Sequence, residues 1–259
     1  MLDRTIEWIA RRERIAVVAG LSVIIVLAWV FLLAGGGMDT SDMSAMGHGA
    51  PARSGDGFAI VFVMWAVMMM AMMLPSAAPT ILLFAALMRA RASTSAIPPT
   101  GVFASGYVLV WTGFSVLATT AHGALHHAQV VSTAMRSTSD VFAGLLLVAA
   151  GVYQLTPVKD ACLRRCRSPI QFLTQHWRPG SAGAFRLGLL HGGYCVGCCW
   201  ALMALLFVGG VMNVLWVAAV AGFVLLEKTA FLGARLGRLA TGAGLIAAGA
   251  VVLVIARSR

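Results

Sequence analysis

The sequence predicts an all-α integral membrane protein, a bundle of about seven transmembrane helices, with six as the lower count. Two observations lead to this fold class. First, 60% of the 259 residues are hydrophobic and only 11% are charged, whereas soluble globular proteins carry about 25% charged residues. Second, apolar runs of about 17–25 residues recur along the chain, and at about 1.5 Å per residue this length crosses a hydrocarbon core about 30 Å thick. We expect a single transmembrane helical domain over residues 1–259.

Seven apolar segments are candidate spans. In chain order they are 15–34, 58–88, 100–121, 140–158, 186–210, 211–229 and 239–256. The second is interrupted by Pro75 and Pro79, and the last is weak because it is rich in Gly and Ala. The first has an apolar run of about 20 residues, longer than the roughly 7–15 of a signal peptide, which favours a retained signal anchor.

The distribution of Lys and Arg predicts the orientation, because cytoplasmic loops are enriched in both residues. With the N-terminus in the cytoplasm, 15 of the 19 Lys and Arg lie in inner segments, and four lie outside: Arg53, Arg136, Arg257 and Arg259. The net charge of +10 therefore indicates topology, and we expect no nucleic-acid partner. We predict a multi-pass protein of the bacterial inner membrane, surrounded by the lipid bilayer. If the chain has six full spans and a tilted or interfacial last helix, Arg257 and Arg259 no longer lie on the outer side.

A methionine-rich segment is the first candidate for chemistry. Six of the ten residues 64–73 are Met. At 3.6 residues per turn, Met64, Met68 and Met72 form one row, and Met69 and Met73 lie beside it; we call these five residues the methionine stripe. Thioethers are soft ligands that suit Cu(I) and are poor partners for Mg or Ca. A gap-filling packing surface is the alternative, because Met adapts to irregular spaces.

A second candidate is a cluster of His191, Cys195, Cys198 and Cys199, within nine residues and among three glycines of a predicted span. On a helix His191 lies one turn before Cys195, and Cys198 or Cys199 shares that face. Imidazole and thiolate together predict a metal site. The alternative is that the cysteines pack as small hydrophobes and the histidine is bonded within the bundle.

Depth arithmetic places the two groups at one level. Met69 lies about 16 Å below the outer start of its span, and Cys198 lies about 18 Å above the inner start of its own. In a core about 30 Å thick, Cys198 is then about 12 Å from the outer face. We therefore predict one shared soft-metal site for Cu(I); zinc also accepts thiolate and imidazole but would leave the methionines unexplained. The predicted ligands are His191, Cys195, Cys198, Cys199, Met68, Met69, Met72 and Met73.

Two weaker clusters are candidates for a secondary metal relay. Cys162 and Cys166 lie four residues apart in the basic inner loop, where a reducing cytoplasm favours free thiols over a disulfide. An outer loop rich in Gly, Ser and Asp carries four soft or imidazole donors: Met38, Met43, Met46 and His48. These donors would suit copper capture, and an ordinary solvated loop explains them equally well.

Polar residues at the ends of two spans complete the inventory. His122 and His126 are an i, i+4 pair after the third span; we favour an interfacial anchor over a metal site. Glu227 ends the sixth span and is expected to pair with Lys228 or an inner-loop Arg. The sequence has no phosphate-binding glycine loop, no Ser/His/Asp arrangement and no paired carboxylates within its spans. We therefore expect no catalytic residues and no enzyme.

Several unusual strings occur in order along the chain. They are Trp65 with 68–75 and Pro79; Gly106, Tyr107 and Trp111; 150–157; Cys162 with 166–169; His191 and Gly192 with Cys195 and 197–200; 210–213 with Trp216; and Glu227 with Lys228. In these strings the chain resembles bacterial integral membrane proteins described as predicted metal-binding, a domain of unknown function linked to copper-chaperone roles. The resemblance covers about residues 58–230 and implies a metal, with copper favoured.

Three functions remain open from the sequence. The first is a membrane protein that binds Cu(I) in its helix bundle and delivers it to a cuproenzyme or another metal-delivery partner. The second is a structural or assembly subunit of a membrane complex, in which Met and Cys serve packing. The third is a thiol-based membrane oxidoreductase. Metal content separates the first two, and reversible thiol–disulfide cycling would support the third.

Overall fold

A computed structural model describes residues 2–35, 54–91, 97–132, 136–229 and 234–258. Within these ranges the chain is helical apart from turns and one isolated β-bridge between Val131 and Ser137, which confirms the all-α class. The helices are α1 (Leu2–Leu33), α2 (Ser54–Arg91), α3 (Ile97–His127), α4 (Asp140–Leu155), α5 (Pro157–Arg167), α6 (Pro169–His176), α7 (Gly180–Ala204), α8 (Leu206–Gly209), α9 (Val214–Thr229) and α10 (Ala234–Arg257).

Five segments of the described chain are long and apolar enough to cross a membrane. They are Arg12–Leu33, Gly57–Ala90, Pro99–His127, Gly180–Gly209 and Arg235–Arg257. A sixth is reached if α4 and α5, which bend by 65° at their junction, are taken as one broken span. The predicted count of seven is not confirmed. The missing candidate is α9, whose 16 residues extend about 24 Å and fall short of a core about 30 Å thick.

The second predicted span is a single helix, and its two prolines do not interrupt it. Helix α2 runs for 38 residues through Pro75 and Pro79. Pro75 and Pro79 lack the N–H groups that would pair with the carbonyls of Ala71 and Pro75, yet the helix continues through both. Between them, Ser76 Oγ donates to the carbonyl of Met73 at 2.8 Å, and the hydroxyl of Tyr107 donates to the same carbonyl at 3.1 Å.

The break between α4 and α5 has a local cause. Thr156 is the C-cap of α4 and the N-cap of α5. Its hydroxyl donates to Tyr153 O at 2.7 Å and accepts from Lys159 N at 3.3 Å. Pro157 at the first position of α5 has no N–H to continue α4 and a fixed φ that suits a helix start. The bend turns α5 onto α7.

Glycines allow a close contact between two helices of the bundle core. Helix α3 packs on α7, and a Cβ atom at Gly106 would meet the backbone of Phe185, while one at Gly188 would meet the backbone of Phe103. Small residues at a crossing allow the two backbones to approach. This crossing places Tyr107, one residue after Gly106, beside the cysteines that lie about two to three turns after Gly188.

Candidate metal centre

Helix α7 holds the His–Cys cluster in one continuous stretch of helix. His191 is 3% exposed, and Cys195, Cys198 and Cys199 are each 1% exposed. The glycines of this segment do not break the helix. Gly192 faces Val110 of α3, and Gly197 faces the Cys162 sulfur, where an added Cβ would lie 2.8 Å from Sγ. The glycines therefore bring neighbouring helices onto the cluster.

The methionine stripe lies in the interior of the bundle. Its five residues Met64, Met68, Met69, Met72 and Met73 are each at most 1% exposed and belong to one core with the three cysteines of α7. The stripe and the cluster meet at Met73, whose Sδ lies 3.8 Å from Cys199 Sγ. Met70, the remaining Met of the segment, is only partly buried.

Two contacts fix the register between α2 and α7–α8. Met73 lies at Cys199, and Trp65, eight residues earlier, packs on Phe207, eight residues later, with ring centroids 5.4 Å apart. The two segments are therefore antiparallel, and the midpoint of this register sets Met69 level with Met203. Met203 is fully buried and lies four residues after Cys199, so it continues the Cys195–Cys199 row. Sequence analysis missed this residue, although its spacing was a usable signal.

Cys195 has two polar neighbours from other helices. The Lys228 ammonium of α9 donates to Cys195 Sγ and to Ser76 Oγ, each at 2.9 Å. The Tyr107 hydroxyl lies 3.1 Å from the same sulfur. The Lys228 side chain is buried with the cluster, and a buried cation stabilises negative charge on nearby sulfur. Neither neighbour was among the predicted site residues.

The remaining cluster thiols turn toward backbone. Cys198 Sγ donates to Cys195 O at 3.1 Å, and Cys199 Sγ donates to the same carbonyl at 2.9 Å. Among the residues that the structure describes, no group of three His, Cys, Asp or Glu side chains is placed to hold a metal ion. A thiol has one side-chain rotor, so rotation about χ1 is the movement that would turn these sulfurs to an ion.

His191 lies in an aromatic niche. Its ring centroid is 5.4 Å from that of Phe172 and 5.5 Å from that of Tyr107. Its Nδ1 atom is buried without a hydrogen-bond partner in the described chain. A buried ring nitrogen without a partner can accept a hydrogen bond or bind a metal ion.

The two inner-loop cysteines lie beside the cluster, on α5. Cys166 interacts with the thiol of Cys198, and Cys162 Sγ packs at Gly197. Both are partly buried and free. Sequence analysis assigned this pair to a separate site, because the bend at Thr156 that returns α5 to α7 leaves no periodic signal. The structure therefore brings a fourth thiol to the cluster.

Other predicted candidates lie apart. Met38, Met43, Met46 and His48 fall outside the described residues. The rings of His122 and His126 are tilted against each other, with centroids 6.2 Å apart. His122 also packs on Phe207, and its Nδ1 is buried without a hydrogen-bond partner in the described ranges.

Glu227 contacts cations of the predicted inner loop and not its neighbour Lys228. Its carboxylate accepts from Lys159 Nζ at 2.7 Å and from Gln154 Nε2 at 3.0 Å. Arg167 Nε donates to its backbone carbonyl at 2.6 Å. The expectation of a Glu227–Lys228 pair is wrong, since successive residues of a helix point about 100° apart and Lys228 faces Cys195. Lys159 is fully buried, so this network fills the end of the bundle below the cysteines.

The chain was compared with family models, curated proteins and solved structures. The family model described as PpoB2, copper chaperone, matches residues 62–252. No curated protein and no solved structure matches the chain. The matched range includes every residue of the methionine stripe, all five cysteines, and Tyr107 and Lys228 beside Cys195.

Proposed function

The chain belongs to the family described as PpoB2, copper chaperone, and on that premise we propose that it binds Cu(I) inside its helix bundle and delivers the ion to a partner protein. The observation that carries the proposal is the 3.8 Å approach of Met73 Sδ to Cys199 Sγ. This approach joins the two soft-donor groups of the sequence, and thiolate with thioether is a donor set that selects Cu(I).

We propose Cys195, Cys199 and Met73 as the core of the site. Cys198 and His191 on α7 and Met68, Met69 and Met72 on α2 complete the donor set. Cys166 reaches the site through Cys198, so it supplies a further thiol at the edge. Cys162, one turn before Cys166, packs at Gly197 and stays outside the core of the site.

The charge balance of this core supports a monovalent ion. Two thiolates and one Cu⁺ carry a net charge of −1, and Met73 adds none. The Lys228 ammonium, 2.9 Å from Cys195 Sγ, brings the sum to zero. Buried charge is costly unless it is compensated; a divalent ion at the same donors would leave the core with an excess positive charge.

The membrane setting is part of the proposal. Five helices have the length and composition of membrane spans, and we propose that they lie in the bacterial inner membrane with the N-terminus in the cytoplasm. A bundle interior excludes water, which would compete with the sulfur donors for the ion. The protein then acts as a carrier without catalysis, and its partner is a cuproenzyme or another copper-delivery protein.

The test is the copper content of the detergent-purified protein after loading with Cu(I) under reducing conditions. We expect about one ion per chain for the unchanged protein, retained against a chromogenic Cu(I) chelator. The double variant Cys195→Ser, Cys199→Ser should lose it. Cys162→Ser is the matched control, because it removes a thiol of the same region outside the core and should keep the stoichiometry.

Each other outcome points to a different function. Copper that survives substitution of Cys195, Cys198 and Cys199 together would place the site elsewhere. A correctly folded protein that takes up neither copper nor zinc would favour a structural or assembly subunit. Reversible disulfide formation among the α7 cysteines, without copper, would favour a thiol oxidoreductase.

A further inference from the structure

A cavity of about 210 Å³ lies at the end of the bundle where α1 ends and α9 begins. We call this end the outer end, after the predicted orientation. Met64, the first residue of the methionine stripe, and Met212, in the turn before α9, line the cavity. Its other lining residues are Leu32, Leu33, Gly35, Val211, Val214 and Val217. The thioethers of Met64 and Met212 are therefore the soft donors in the wall of this cavity. None of its lining residues is charged.

Buried thioethers connect this cavity to the cysteines. Nine residues of α2 separate Met64 from Met73, a distance of about 14 Å along the helix axis. Met68 lies one turn below Met64, and the register of α2 with α7–α8 sets Met69 level with Met203. All of these side chains are at most 1% exposed. Successive levels are about 6 Å apart, a spacing that the flexible Met side chain can bridge.

The opposite end of the bundle is electrostatically unsuited to a cation. Lys228 lies against Cys195, and Lys159 and Arg167 surround Glu227 just beyond it. Beyond the Lys228 ammonium, which offsets the charge of the core, Lys159 and Arg167 with the single Glu227 carboxylate leave this region with a net charge of +1. A Cu⁺ ion leaving the cysteines in this direction would approach positive charge in a medium of low dielectric constant, where repulsion is strong.

We propose that Cu(I) enters and leaves the cysteine core through the outer cavity, by exchange along the thioethers of Met64, Met212, Met68, Met69, Met203, Met72 and Met73. This inference rests on the proposed function of the same site. In each exchange one Cu–S bond forms as another breaks. The ion keeps its +1 charge and the thioethers stay neutral, so the exchange between thioethers moves neither a proton nor an electron.

The experiment measures the rate at which copper-loaded protein in detergent releases Cu(I) to a hydrophilic chelator. The variant Met64→Leu, Met212→Leu removes both thioethers of the cavity, and Met203→Leu interrupts the middle of the route. We expect each to slow release at least tenfold and to leave about one ion bound at equilibrium. Met88→Leu is the control, because it makes the same change in α2 beyond the cysteines and should release copper at the unchanged rate.

Leu for Met changes little volume and usually costs under about 1.5 kcal/mol, so these variants should fold; melting temperatures verify this. Release rates for both cavity and Met203 variants equal to that of the unchanged protein would overturn the inference and leave the proposed function standing. Slowing by Cys162→Ser, Cys166→Ser instead would place the exit at the inner loop and also overturn it. An unchanged protein that binds no Cu(I) would overturn the proposed function itself, and the route with it.

Discussion

The Sδ atom of Met73 lies 3.8 Å from the Sγ atom of Cys199. At this contact the methionine stripe of α2 meets the cysteines of α7. Both residues are almost fully buried. The nearby hydroxyl of Tyr107 bridges the carbonyl of Met73 and the sulfur of Cys195, at 3.1 Å from each. Backbone, phenol and sulfur thus hold the two helices in one register at the proposed site.

Replacing Met73 by Leu should weaken Cu(I) binding at least tenfold, since it removes the thioether nearest to Cys199 and keeps the volume. Competition with a Cu(I) chelator measures the change. Met70→Leu is the matched control, because Met70 belongs to the same segment but is only partly buried and should bind copper as before. Equal affinities in the two variants would show that the stripe serves packing.

Replacing Lys228 by Met should lower Cu(I) affinity by about tenfold, or about 1.4 kcal/mol, because the ammonium offsets the charge of the copper-bound thiolates. The copper-free protein should lose little stability, since an apolar side chain of similar length costs less to bury than a cation. Chelator competition and thermal unfolding together test this. A large loss of stability with unchanged affinity would instead identify Lys228 as a structural residue.

Replacing Glu227 by Gln should destabilise the protein by about 3–5 kcal/mol, because it leaves the fully buried Lys159 ammonium without its counter-charge. The double variant Lys159→Met, Glu227→Gln should recover much of this loss. Denaturant titration gives the free energies of unfolding. Arg164→Ala, which breaks an exposed pair with Asp160, is the control and should cost under about 1 kcal/mol.

Replacing Gly188 by Ala should separate α3 from α7 and lower the melting temperature, since a Cβ there would collide with the backbone of Phe103. Gly193→Ala adds the same atom on the same helix, into open space. It should be neutral or stabilising by up to about 1 kcal/mol, because Ala is the better helix former. Equal melting temperatures for the two variants would contradict the close crossing.

The predicted orientation is tested by fusing reporters of sidedness after residue 45 and after residue 165. The excess of Lys and Arg in the inner segments predicts residue 45 outside and residue 165 in the cytoplasm. Fusions after residues 93 and 135 should report the inside and the outside respectively. A reporter that places residues 45 and 165 on one side would disprove this topology.

The sequence predicts the helices well where one local property decides them. Apolar length locates the five long spans, and the spacing of Met and Cys identifies both soft-donor groups. Their shared level, estimated from depth along two predicted helices, agrees with the contact of Met73 and Cys199. Burial of the whole stripe follows from the preference of apolar side chains for the interior of the bundle.

Long-range features could not be predicted in this way. The bend at Thr156 depends on one hydroxyl that caps two helices. Because of this bend, α5 folds back on α7 and Cys166 lies beside Cys198. The direction of Lys228 depends on the rotation of α9 about its axis, which a helix apolar along most of its length does not reveal. Pro75 and Pro79 suggest an interruption, but the helix runs continuously through both.

The order in which the chain is made has a consequence for the Lys228–Ser76 hydrogen bond, whose partners lie 152 residues apart. The ribosome produces α2 first, α7 later and α9 near the end of synthesis. The thioethers therefore exist before any thiol of α7, and the ammonium that completes their surroundings comes last. The proposed site needs the donors of α2 and α7 and the counter-charge of α9 together, so Cu(I) would be bound at full affinity only after translation of α9, as a maturation step that follows insertion.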